Sequence, residues 1–223
     1  MFMAECEPSL RESKRQATRA AIEDQATALA EKHGVNNITV EDICSAVGIS
    51  KRTFFNYVDS KETAVLGAPP RVPSEEEKAE FLSAEHSNIL GSLVRLTFEL
   101  AVTVRFVAPE QRATILRRRR HIRQQDPNLA FQQQAGMHVV SQALTELVTE
   151  YLQLYPGRQK LEASPKHEAI TLVSITLGTI QLGHYIWLEQ NDGSDTALEN
   201  CCLAALSELK TIFKDFPDDY QSF

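Results

Sequence analysis

The sequence predicts an all-α protein, and three observations carry that expectation. Ala, Leu, Glu, Gln and Arg recur along the whole chain, and these residues give up little side-chain freedom in a helix. Gly and Pro number only 9 each in 223 residues, too few for the turn-rich strands of a β-sandwich. No stretch alternates apolar and polar residues for a useful length, whereas apolar residues recur at helical spacing in segment after segment.

The elements follow in chain order. Ser9 and Glu12 make a capping box for a helix over 10–33, with Ile22, Ala26, Leu29 and His33 at helical spacing and Gly34 after it. Thr39 and Asp42 repeat the signature for a short helix over 40–46, which presents Val40, Ile43 and Val47 before Gly48. Ser50 caps a third helix that reaches Tyr57, and Ser60 caps a fourth that cannot continue through GAPPRVP. Ser74 and Glu77 box the start of EEEKAEFLSA, and a longer periodic segment covers 86–107. Pro109 opens a helix to Arg123, Asp126-Pro127 one to Leu154 and Ser164-Pro165 one to Gln190. The last helix covers 196–214. The break at GAPPRVP divides a domain of 9–66 from one of 74–216.

Composition narrows the function classes. A net charge of −7 argues against a protein that coats nucleic acid non-specifically, yet leaves a local basic face open. The opening MFMAECEPSL puts Glu5 and Glu7 where a signal peptide needs positive charge, and no run approaches roughly 18–20 uncharged apolar residues, so a cytoplasmic protein without membrane contact is expected. Cys6, Cys44, Cys201 and Cys202 show no C-x-x-C pair, and free thiols are expected rather than a metal or redox centre. No zinc-type histidine pair, G-x-S-x-G or P-loop pattern appears, so neither metal, cofactor nor catalytic residues are assigned and no enzyme is expected.

The stretch GISKRTFFNYVDSKE carries the chemistry. A few residues around Gly48 join the second and third helices, the turn of a helix-turn-helix whose second helix enters a major groove. At the start of that helix free backbone N–H groups and a partial positive charge stand beside Ser50, Lys51, Arg52 and Thr53. Arg52 is the choice for a guanine, whose O6 and N7 a guanidinium meets bidentately; Thr53 could meet a thymine methyl or a phosphate, and Asn56 lies one turn along. Thr39 and Lys61, at two other helix starts, could clamp phosphates. Arg11, Lys14, Arg15 and Arg19 form a basic stripe for the flanking backbone.

With its preceding amphipathic helix, ITVEDICSAVGISKRTFFNYVDSKE resembles the DNA-binding domain of the tetracycline-repressor (TetR) family over residues 15–66. The resemblance implies phosphate contacts at Thr39 and Lys61 and a recognition-helix start at Ser50–Thr53. Phe55 stands where the family often has a backbone-contacting tyrosine, with Tyr57 able to take part of that work, and Val58 replaces a usual phenylalanine.

It further implies a homodimeric regulator of double-stranded, palindromic operator DNA, with a larger helical domain that binds a small, apolar effector and dimerises through its last two helices. Leu172, Ile175, Thr179, Leu182 and Ile186 fall on one face of the penultimate helix, and Leu198, Cys202, Ala205, Leu209 and Ile212 on one face of the last. These are the dimer-interface residues expected, with Gly178 and Gly183 allowing close approach; intramolecular core is the alternative reading of the same pattern. Candidate effector-lining residues are Leu93, Phe98, Phe106, Phe131, Met137, His138, Leu144 and Trp187, each of which could equally fill a core. Arg117 to Arg120 read as a solvated, partly salt-bridged face, or else as partners for a phosphate or carboxylate on a ligand. Two other readings stay open: a regulator controlled by a protein partner, and a helical enzyme with a degenerate DNA-binding domain.

Overall fold

The computed structural model describes residues 10–101, 109–190 and 195–214. Every regular element among them is helical: α1 (Leu10–His33), α2 (Val40–Val47), α3 (Lys51–Phe55), α4 (Lys61–Leu66), α5 (Glu75–Ser83), α6 (Ile89–Ala101), α7 (Pro109–Gln125), α8 (Pro127–Leu154), α9 (Pro165–Gln190) and α10 (Asp195–Phe213). Short 3-10 turns lie at Val35–Asn37 and Pro156–Arg158.

Local chemistry sets the helix ends. Thr39 and Asp42 complete a capping box on α2, Ser74 and Glu77 one on α5, while Ser50 and Ser60 accept from the N–H groups of Thr53 and Thr63. Such caps contribute about 1 kcal/mol each. Gly48 ends α2 at φ 78° and ψ 35°, a left-handed conformation that costs other residues about 1–2 kcal/mol. Its N–H returns to the Cys44 carbonyl at 2.8 Å.

Two boundaries differ from expectation. α3 stops at Phe55, because the N–H groups of Asn56 and Tyr57 bond three residues back, to Thr53 and Phe54, and close a turn. α6 begins only at Ile89, because His86 is held otherwise: its N–H donates to the Tyr151 hydroxyl, and its ring bonds the Phe81 carbonyl and the Ser92 hydroxyl. The expected cap residue Ser9 and the candidate Phe106 lie outside the described residues.

The helices gather into two compact units. Met1–Pro69 and Thr103–Gln132 make the first, whose core joins Ile22, Ala26, Ile43, Phe54 and Val65 to Ile122 of α7. Val58, the smaller residue in place of a phenylalanine, is 3% exposed in that core. Helix α7 thus packs with α1, although its place in the chain puts it after the GAPPRVP break.

Pro70–Val102 and Gln133–Phe223 make the second unit, built around Phe81, Leu93, Leu144, Val148, Tyr151 and Val173. Ala169 to Leu188 contains no Asp, Glu, Lys or Arg, so α9 has the length and composition to cross a membrane, contrary to the expectation that no such run exists. In this unit α9 packs on α6 and α10 and buries Leu172, Val173, Thr179 and Trp187. The Thr176 and Thr179 hydroxyls donate to the carbonyls of Leu172 and Ile175, so burial leaves them satisfied.

Candidate nucleic-acid interface

The first unit holds α3 from below through Phe54, 0% exposed, whose burial stabilises the fold by about 1.5–3 kcal/mol. Tyr57 packs against the same core, partly buried. That anchoring turns Lys51, Arg52 and Phe55 outward on the opposite face. Ser50 Oγ accepts from the Thr53 N–H at 3.0 Å and shares a hydroxyl hydrogen bond with Thr53 Oγ1 at 2.8 Å, which fixes the first turn. Arg52 is exposed and makes no hydrogen bond or ion pair to the described residues. Phe55 is 53% exposed, its ring edge-on to Phe54 at a centroid distance of 5.3 Å. Asn56 is the exposed C-cap of α3 rather than a member of the helical face.

Each polar partner on this surface has a cost to displace. Lys51 forms an ion pair with Glu41 of α2, which joins the two helices of the motif and holds the Glu41 carboxyl below its usual range by hydrogen bonding. Thr39 Oγ1 donates to Asp42 at 2.7 Å, and the Thr39 N–H donates to the same carboxylate oxygen at 2.8 Å. These bonds, the hydroxyl's first, lower the Asp42 pKa, so the box is intact above the ordinary carboxyl range and is lost as pH falls through the lowered value. Along α1, Arg11, Lys14 and Arg15 are exposed, whereas Arg19 is paired with Glu23 at 3.1 Å.

Lys61 is placed differently from a free phosphate clamp. Its ammonium donates to the carbonyls of Val35 and Ile38 at 2.8 and 2.9 Å, and only 19% of its side chain is exposed. It therefore ties the start of α4 to the turn that delivers Thr39. Lys61→Met is expected to lower stability by about 1.5–3 kcal/mol, the value of hydrogen bonds to a charged group. The same substitution should weaken DNA binding without changing the slope of log affinity against log salt; a slope reduced by about one would instead assign Lys61 to a phosphate.

The residues 22–65 match the family described as "Bacterial regulatory proteins, tetR family". Residues 22–65 thus form a TetR-type DNA-binding domain. A crystal structure of NalD of Pseudomonas aeruginosa, the secondary repressor of the MexAB-OprM multidrug efflux pump, is 22% identical, with a TM-score of 0.51 over 92% of this chain and 100% of that one. A second NalD structure is 19% identical with a TM-score of 0.47, over 94% of this chain and 100% of that chain. GusR of Salmonella enterica is 16% identical with a TM-score of 0.44, over 89% and 96% of the two chains. No curated protein sequence matches this chain. The first NalD structure supports the all-helical fold over 92% of the chain, and the family match supports the helix-turn-helix.

The other candidate residues are distributed as follows. Leu93, Phe98, Leu144 and Trp187 are buried in the second unit, Met137 is partly buried, His138 is exposed, and Phe131 is 71% exposed in the first unit. Of the residues expected at a dimer interface, Leu172, Thr179, Leu198, Cys202 and Ala205 are buried within this chain, where α9 and α10 pack on one another. Ile175, Leu182, Ile186 and Leu209 are partly buried, and Ile212 is 62% exposed. Gly183 serves the internal contact: a Cβ there would meet the Cα of Cys202, with its N at 2.6 Å and its Sγ at 2.7 Å. Gly178 faces open space. Burial pushes the Cys202 thiol up to about 12, which makes it a small core residue and not a nucleophile.

Proposed function

We propose that this chain is a homodimeric transcriptional repressor of the TetR family that binds a palindromic operator and is released by a small-molecule effector. The observation that carries the DNA reading is Arg52: it is exposed and uncommitted on the first turn of a capped helix that Phe54 anchors from behind. An Arg so placed can meet guanine O6 and N7, with Lys51, Thr39 and the α1 stripe supplying backbone contacts. Two such helices, roughly 34–36 Å apart, enter successive major grooves of a palindrome.

The dimer face supported by the burial pattern is the side of α9 turned away from α10: Ile170, Ser174, Gly178, Gln181 and Tyr185, all exposed and spaced for one helical stripe. Gly178 lets a symmetric partner approach closely there. An apolar effector fits a helical domain rich in Leu, as the resemblance implies, and it must favour a subunit arrangement other than the DNA-bound one, since equal affinity for both releases nothing. A cytoplasmic location follows from the same reading.

The test is selection of bound fragments from genomic DNA, followed by titration of candidate metabolites against the complex. Arg52→Ala is expected to cost about 1–3 kcal/mol on the selected site and to relax the preference at one base pair in each half-site. A selected sequence without two-fold symmetry, or unchanged binding by Arg52→Ala, would overturn the reading.

A further inference from the structure

The arginine-rich helix α7 provides an observation that DNA binding leaves unused. Arg118 is engaged in the first unit, with Asp24 Oδ1 at 2.8 Å, the Asp24 carbonyl at 3.2 Å and Glu31 at 3.6 Å. Arg119, 1% exposed, is engaged only in part: Nε donates to the Val65 carbonyl at 2.9 Å and Nη2 to Glu23 Oε2 at 3.0 Å, while buried Nη1 has no hydrogen-bond partner. The other Glu23 oxygen, Oε1, accepts from Arg19 Nε at 3.1 Å. One turn along α7, on the same face, Arg123 is half-buried and makes no hydrogen bond or ion pair to the described residues. Two guanidiniums thus share the one Glu23 carboxylate, and Arg123 adds a cation beside Arg119 with no carboxylate of its own. Burial and the charge of Arg119 together lower the Arg123 pKa to about 10, which marks a second cation short of counter-charge.

A buried guanidinium with an unmet donor costs several kcal/mol unless a charge and an acceptor meet it. A planar fork of N–H donors is complementary to the oxygens of a carboxylate or phosphate. We propose that Arg119 Nη1 and Arg123 form a binding site for a small oxyanion, a carboxylate or a phosphate, on the face of α7 that packs with the DNA-binding helices of the first unit. The site is distinct from the groove-reading face of α3. Its bound anion strengthens the attachment of α7 to α1 and α4, which carry the frame of the helix-turn-helix.

The experiment is thermal unfolding of the full chain at constant ionic strength, in chloride alone and with inorganic phosphate or acetate added. A saturable rise of about 5–10 °C at a hundredfold excess over Kd is expected from at least one of the two. Phosphate alone raising the midpoint identifies a phosphate site, acetate a carboxylate site. Arg123→Gln should abolish the rise and Arg95→Gln, exposed on the second unit, should keep it. Arg123→Met should unfold in chloride at or above the wild-type temperature, because it removes a repelled charge; a residue with only a structural role would lower it. No rise with either anion, or a rise that survives Arg123→Gln, would overturn the site.

Discussion

Replacing Glu23 by alanine is expected to destabilise the first unit by about 3–5 kcal/mol, the largest effect of any single polar substitution there. The carboxylate is 3% exposed and both its oxygens are occupied, by Arg19 and by Arg119. Its removal leaves the Arg119 guanidinium at 1% exposure with only the Val65 carbonyl to meet it. The double variant Glu23→Leu with Arg119→Met should recover most of the stability, because apolar residues of similar volume replace a buried ion pair at little cost. Denaturant unfolding of the two single variants and the double gives the coupling energy directly. Additive losses, with no recovery in the double variant, would show that the pair does not hold α7. Operator binding should fall with stability in Glu23→Ala, since α1 and α4 pack in the core that holds α3.

The second large effect is expected at Gly183. A methyl group there meets the backbone of α10 at Cys202, not the movable end of a side chain. Gly183→Ala must push α10 away from α9, and overpacking of this kind costs about 1–3 kcal/mol or more. Helix propensity works the other way, by at most about 1 kcal/mol, so the clash decides the sign. Gly178→Ala is the internal comparison: nothing lies within 4 Å of its added Cβ, and a gain of up to about 1 kcal/mol in the monomer follows from propensity. Thermal unfolding of the two variants as monomers, at concentrations below dimer dissociation, should therefore move in opposite directions. A destabilised Gly178→Ala together with a neutral Gly183→Ala would reverse the assignment of the two glycines.

These two glycines show where reading the chain stops. Helical spacing placed both on an apolar helix suited to close approach, but spacing cannot say which neighbour approaches. Leu172, Thr179, Leu198, Cys202 and Ala205 form the faces that periodicity predicts, and α9 and α10 spend those faces on each other within one chain. Similarly, four arginines in a row look like a solvated surface. Arg119 is buried instead, because Glu23 lies 96 residues away in sequence and 3.0 Å away in space. Lys61 looks like a phosphate ligand at a helix start until the carbonyls of Val35 and Ile38, 26 and 23 residues earlier, are seen around its ammonium.

What the chain determines by itself is local. The caps at Thr39, Ser50, Ser60 and Ser74, the left-handed turn at Gly48 and the cations on the first turn of α3 all depend on partners within four residues or fewer, and all were legible in the order of amino acids. The all-helical class and the helix-turn-helix follow from those local terms. The tertiary structure decided which charges are free, which are buried and which apolar face remains outside, because each depends on desolvation by segments far away along the chain. That is why Arg52 stays exposed, without a partner among the described residues, while Lys61, Arg119 and Gly183 make internal contacts.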